Sequence, residues 1–284
     1  MPVPRGGGLA CAAGATVAIV WFAAHGQPVT WGLVVPAVIL TLVGLADDLR
    51  SLPALSRLAA QVGAGAVIGW AAGGGWWIGV GAAVAPLVVN VANFMDGING
   101  ITSLVMSVWG FTTLAVGIDR DLPTLTLLGA IAAGSALGFL PWNAPVARLF
   151  LGDSGSYLFG AIVAAGVVIG WSIGAPVVLL VAPLTLYLVD TGVVLVKRAI
   201  RGDSLFEAHR EHVYQRLTSG LGLPHFSVAV GVAVLSAAMT VAWLSPTMWV
   251  PLVSTVLICG AYLAAPRLLS SRLKLGAAAP RRAE

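Results

Sequence analysis

Ten apolar runs, each long enough to cross a bilayer, dominate this chain and leave few folds open to it. Bounded by Gly, Pro and charge, they fall near 8–24, 30–46, 54–71, 76–93, 98–118, 122–140, 156–172, 175–196, 226–244 and 247–264. Backbone in hydrocarbon must satisfy its own hydrogen bonds, so a spanning segment is either a helix or a barrel strand. Barrel strands are about ten residues long and alternate in polarity; these runs are longer and unbroken. The expected fold is all-α, a polytopic helical integral membrane protein of about ten transmembrane helices, with residues 1–284 as one domain. Charged residues make up 9% of the chain, against about 25% in a soluble domain.

Lys and Arg are retained on the cytoplasmic side of a membrane protein. With the N-terminus inside, Arg5, Arg50, Arg57, Arg148, Lys197, Arg198, Arg201, Arg210, Arg216, Arg267, Arg272, Lys274, Arg281 and Arg282 all fall inside, and Arg120 alone falls outside. The net charge of +4 therefore reads as retained cytoplasmic charge, and no nucleic-acid partner is expected. Cys11 and Cys259 lie inside apolar runs and read as small buried hydrophobes. The first run has the outline of a cleaved signal peptide, but "PRGGG" just ahead of it points to a different role.

Four polar clusters interrupt this apolar body, and the orientation puts all of them on one face. Asp47 and Asp48 end the second run. Adjacent carboxylates repel unless a cation or hydrogen bonds hold them, and the bland alternative is a polar helix end balanced by Arg50 and Arg57. In "NVANFMDGING", Asn90, Asn93, Asp96 and Asn99 recur at a spacing of three, which places the first of them along one helix face. Amide and carboxylate oxygens suit a hard cation such as Mg²⁺; helix–helix hydrogen bonding accounts for one such Asn more readily than for four polar groups.

The third cluster, "NAPVARLFLGDSGS", holds Asn143, Phe150 and Asp153. Ser154 and Ser156 open the next run, so free N–H groups there could meet an anion; an ordinary capped turn is the bland reading. The fourth, "RGDSLFEAHREHVYQRL", sets His209 and His212 around Arg210, a group suited to phosphate oxygens and short of the soft ligands zinc needs. Asp190 stands apart, about 10 Å along its helix from Lys197, where a charge must face protein or water. It is read as a support for the site.

Together these strings resemble the polyprenyl-phosphate N-acetylhexosamine-1-phosphate transferases, a family that includes phospho-MurNAc-pentapeptide translocase. The likeness runs through "PRGGG", "DD", "NxxNxxDGxNG", "FLGDSGS" and "DTGVVLVKRAIRGDSLFEAHREHVYQRL" over roughly three quarters of the chain, in order. The last string looks closest to the O-antigen-initiating branch. Family members usually carry one more span before "PRGGG", the point near which this sequence starts, so a first helix missing from it or a shortened variant are both open readings; Asn99 stands where a second Asp is common, and Arg57 where several relatives have Lys.

The resemblance implies transfer of N-acetylhexosamine 1-phosphate from a UDP-sugar to undecaprenyl phosphate, releasing UMP, at the cytoplasmic face of the plasma membrane. It implies Mg²⁺, replaceable by Mn²⁺, held by Asn93 and Asp153. It further implies that Arg210 and His212, with His209, clamp the diphosphate. Asp96, Asn143 and Phe150 take the uridine, with Asn90, Asn99 and Arg57 on the substrates, and Asp47 and Asp48 face the lipid phosphate. A phosphomonoester with a second pKa of about 6 is mostly ionised at neutral pH, so placing a second cation or the phosphate is the larger expected contribution of Asp47 and Asp48, with a general-base role as the alternative. A homodimer is compatible with this reading. The rival readings are a membrane carrier, which would place ionisable groups near the midplane, and an inactive scaffold for glycan assembly.

Overall fold

The computed structural model describes the backbone of residues 3–27, 29, 31–204 and 210–278, and side chains as far as residue 271. His209 lies outside the described residues, as do Arg281 and Arg282. Every apolar run forms helix. The order is α1 Gly7–Ala24, α2 Trp31–Leu49, α3 Ala54–Ala71, α4 Trp76–Met95, α5 Ile101–Asp119, α6 Pro123–Asn143 and α7 Gly152–Ser172. A short α8, Val177–Val181, passes through a tight turn at Ala182–Leu184 into α9, Thr185–Arg201. The single-turn α10, Val213–Gln215, precedes α11, His225–Trp243, and α12, Trp249–Ala278.

Among the described residues nine helical segments are long and apolar enough to cross a membrane, with α8 and α9 counted together. The remaining long helix, α3, has 18 residues but carries Arg57 and Gln61 in its first two turns. The chain is a polytopic helical membrane protein.

Three boundaries differ from the sequence reading, each for a local reason. Helix α7 starts at Gly152 rather than at residue 156, because a carboxylate from α2 caps it there. Helix α5 starts at Ile101 rather than at residue 98, since Gly100 takes a left-handed turn with φ 83°. The run over 175–196 is interrupted at Pro183, which lacks the N–H that α-helix continuation needs.

Helix α7 is the centre of the bundle, buried without a break from Ser154 to Gly170. A helix apolar on every side belongs inside, and its Gly and Ala residues let neighbouring helices approach closely. Gly44 of α2 shows how closely: a Cβ on it would lie 2.3 Å from the carbonyl oxygen of Asp153. This contact of backbones brings Asp47 and Asp48, one turn further along α2, beside the start of α7. Trp76, Trp77 and Trp171 cluster elsewhere on the bundle, with ring centroids 3.9 Å apart for the first two and 5.2 Å for Trp77 and Trp171.

Candidate active site

The polar clusters converge where α7 begins. Asp48 accepts hydrogen bonds from the backbone N–H groups of Asp153 and Ser154, both at 3.0 Å. Gly152 makes this possible with φ 76°, and a Cβ there would sit 2.6 Å from an Asp48 oxygen. The N–H groups expected to meet an external anion are thus met by the protein's own carboxylate. Both Asp48 oxygens hold α7 in place, a role that the sequence reading of Asp48 did not include.

Asp47 points differently. It is buried, accepts the Leu52 N–H at 2.7 Å and forms a 2.8 Å ion pair with Arg57 of α3. Its carboxyl group also neighbours that of Asp153. From α4, the Asn93 amide donates to Asp153 Oδ1 at 2.7 Å and to Ser156 Oγ at 3.1 Å. Two neighbouring carboxylates repel unless a proton or cation lies between or beside them. Asn93, Asp47 and Asp153 offer only oxygen and amide donors, the set a hard cation accepts. Among the described residues no three Asp, Glu, His or Cys side chains surround one point. An ion here would therefore keep several waters, as Mg²⁺ characteristically does. The donors fit it.

A polar cavity of about 350 Å³ opens above these groups, lined by Asp96, Asn99, Asn143, Phe150, Asp153 and Arg5 among others. Phe150 is 40% exposed there, with a ring face available for stacking. Burial pushes the Asp96 carboxyl up to about 7, against a lowering from Thr102, and the nearby Asp153 and Asp48 carboxylates add smaller upward pushes. Asn143 is occupied differently from expectation: its oxygen accepts the Gly100 N–H at 2.6 Å and its nitrogen donates to Leu149 O at 3.1 Å. It ties two loops together at the cavity wall. Asn99 leans on Pro145 O at 3.3 Å.

A second cavity, about 400 Å³, lies between α3, α4 and α9. Leu58, Leu87, Leu188 and Leu195 make it apolar, with Arg57 and Asn93 at its polar end. Asn93 lines both cavities. Asn90 donates to Gln61 Oε1 and Pro86 O, each at 2.7 Å, so it joins α3 to α4 beside this groove. A larger cavity of about 680 Å³ between α1 and α6 is almost wholly apolar and carries no comparable chemistry.

The fourth cluster only partly joins this centre. His212 is buried, with Nδ1 3.3 Å from Asp190 Oδ1, and it caps α10 together with Gln215. Asp190 also accepts the Val213 N–H at 3.0 Å and the Tyr262 hydroxyl at 2.8 Å. Asp190 therefore does support the loop. Arg210 lines a separate cavity with Arg216 and Arg267, away from Asp153.

Sequence reasoning missed four contributors. Arg5 lines the polar cavity, held there because Pro4 O and Phe150 N–H pair at 2.9 Å and Gly7 N–H returns to Phe150 O at 2.9 Å. Tyr157, one turn after Asp153 and buried, stands near the Arg57 guanidinium; its spacing from Asp153 was the available signal. Gln61 holds Asn90, and Tyr214 donates to Phe94 O at 2.9 Å.

The family model described as "Glycosyl transferase family 4" matches residues 30–171. A decaprenyl-phosphate N-acetylglucosaminephosphotransferase of Mycobacterium leprae is 30% identical over 296 aligned residues, covering 84% of this chain and 74% of the relative. A probable undecaprenyl-phosphate N-acetylglucosaminyl 1-phosphate transferase of Bacillus subtilis is 25% identical, covering 78% and 67%. A phospho-N-acetylmuramoyl-pentapeptide-transferase of Symbiobacterium thermophilum is 33% identical over 44% of this chain and 46% of its own length. The chain belongs to glycosyl transferase family 4.

Proposed function

We propose that this protein transfers N-acetylhexosamine 1-phosphate from a UDP-sugar to a polyprenyl phosphate such as undecaprenyl phosphate, releasing UMP, as an initiating step in cell-envelope glycan synthesis, O-antigen included. The observation that carries this reading is the position of Asn93, on the wall between a polar cavity and an apolar groove. A lipid lying along Leu58, Leu87 and Leu195 would bring its phosphate to Arg57 and Asn93. A nucleotide over Phe150 and Asp96 would bring its diphosphate to the same wall. The two reactants would then meet beside Asp153 and Asp47.

The obstacle is anion meeting anion, since each reactant carries close to two negative charges at neutral pH. Bound Mg²⁺ or Mn²⁺ at Asp153, Asn93 and Asp47 would neutralise phosphate oxygens and draw electron density from the phosphorus under attack. Arg57 adds a fixed positive charge at the mouth of the groove, oriented by Asp47. Asp48 keeps Asp153 in register through the helix start. Arg5 lies on the polar cavity wall, where it can meet the diphosphate. The site-bearing face is assigned to the cytoplasm by its Lys and Arg.

Detergent-solubilised protein given radiolabelled UDP-N-acetylglucosamine and polyprenyl phosphate should form an organic-extractable product that requires Mg²⁺. No such product with any UDP-N-acetylhexosamine, alongside uptake of solute into proteoliposomes, would replace this reading with a carrier.

A further inference from the structure

Arg210, Arg216 and Arg267 converge on one cavity of about 400 Å³ beside the C-terminal half of α12. Among the described residues no Asp or Glu lines it and none of the three arginines forms an ion pair, whereas Arg198 and Arg201 both reach Glu211. Three guanidinium groups around one concavity repel one another unless an anion sits between them. Arginine forks match phosphate oxygens in shape and charge.

A second observation gives the anion a tail. Directly beside this cavity runs a groove of about 290 Å³ between α11 and α12, lined by Val228, Val232, Leu235, Ala261 and Ala265. The two share a wall: Arg216 adjoins Leu217, and Pro266 and Arg267 follow Ala265. The groove spans Ser227 to Leu235 of α11, about 12 Å of helix rise. A charged cavity next to an apolar groove near the membrane surface matches the polarity of a phospholipid's head and chain.

We propose that this site holds the phosphate of an anionic glycerophospholipid, with one acyl chain between α11 and α12. The headgroup would stand at the interface, where basic pockets between spanning helices take anionic lipids. It lies on elements other than α2, α4 and α7, which carry Asp47, Asn93 and Asp153, so the occupant is a structural lipid rather than a reactant. By bridging the residue 210–216 segment to α12, it would fix the loop that holds His212.

The full chain in nanodiscs of phosphatidylcholine with a few per cent phosphatidylglycerol tests this by native mass spectrometry. The wild type should retain phosphatidylglycerol in preference to phosphatidylcholine by roughly tenfold, and Arg216→Gln with Arg267→Gln should abolish that preference. Gly231→Leu provides an independent arm. Gly231 lines the groove and a Cβ there meets nothing within 4 Å, so the new side chain fills the space without disturbing the arginines. It should lower retention of both lipids. Unchanged phosphatidylglycerol retention in both variants would overturn the proposal. So would displacement of phosphatidylglycerol by equimolar polyprenyl phosphate, or by UDP-sugar, each of which would give the cavity to a reactant.

Discussion

Asp48 and Asp153 are joined end to end: the carboxylate at the last turn of α2 receives the first N–H groups of α7, at 3.0 Å each. One acidic residue thus aims another. An anion at a helix N-terminus is favoured by the unpaired N–H groups and by the helix dipole, and here that anion is covalently part of the neighbouring helix.

Asp48→Ala should therefore cost stability as well as activity. Hydrogen bonds to a charged acceptor contribute about 1.5–3 kcal/mol each, so losing the pair should destabilise the protein by about 3 kcal/mol and lower its thermal midpoint in detergent. Asp48→Asn, which keeps one acceptor, should lose less. Equal melting of the Ala variant and the wild type would contradict the capping role.

Asp153→Ala should remove the transfer reaction while leaving the fold intact. Charge stabilisation of several kcal/mol at a transferring phosphate corresponds to about a thousandfold in rate. Excess EDTA should have the same effect on the wild type and be reversed by Mg²⁺ or Mn²⁺. Turnover that persists in EDTA would remove the metal from the proposed mechanism.

Tyr214→Phe probes the link between the loop after α9 and the polar cavity. The hydroxyl holds Phe94 O at 2.9 Å, and a Cβ on Gly97 would lie only 2.1 Å from it. Loss of one neutral hydrogen bond costs about 1 kcal/mol. The variant should raise KM for the UDP-sugar several-fold, with kcat reduced less. Gly97→Ala should be worse than Tyr214→Phe, because it drives the ring away altogether.

Asp96 predicts a pH dependence. Its carboxyl rises to about 7 in the folded protein, against about 3.9 in an unfolded chain. The folded state then holds the proton more tightly, so stability is greatest below pH 4 with respect to this group and declines as pH rises through about 7. Melting in detergent without divalent cations should show that slope between pH 5 and pH 8. Asp96→Asn should flatten it.

Much was legible in the sequence because hydrocarbon imposes a strict rule. Backbone polar groups in lipid must be satisfied within each segment, so the apolar runs dictated the helices, and charge placement arranged Asp47, Asn93 and Asp153 on one face before any contact was known. The resemblance added the order of the motifs. Side-chain partnerships were hidden. Nothing in "DD" distinguishes Asp47, paired with Arg57, from Asp48, which caps α7. Nothing in "NxxN" shows that Asn90 turns to Gln61 while Asn93 turns to Asp153.

The sequence alone determined the element type and the grouping of polar residues at one end, since both follow from what lipid tolerates along a single chain. Only the tertiary structure decided which carboxylate aims, which carries the candidate cation and which arginines gather elsewhere. Those roles depend on ångström-scale distances between helices far apart in sequence, set where α2 and α7 cross at Gly44.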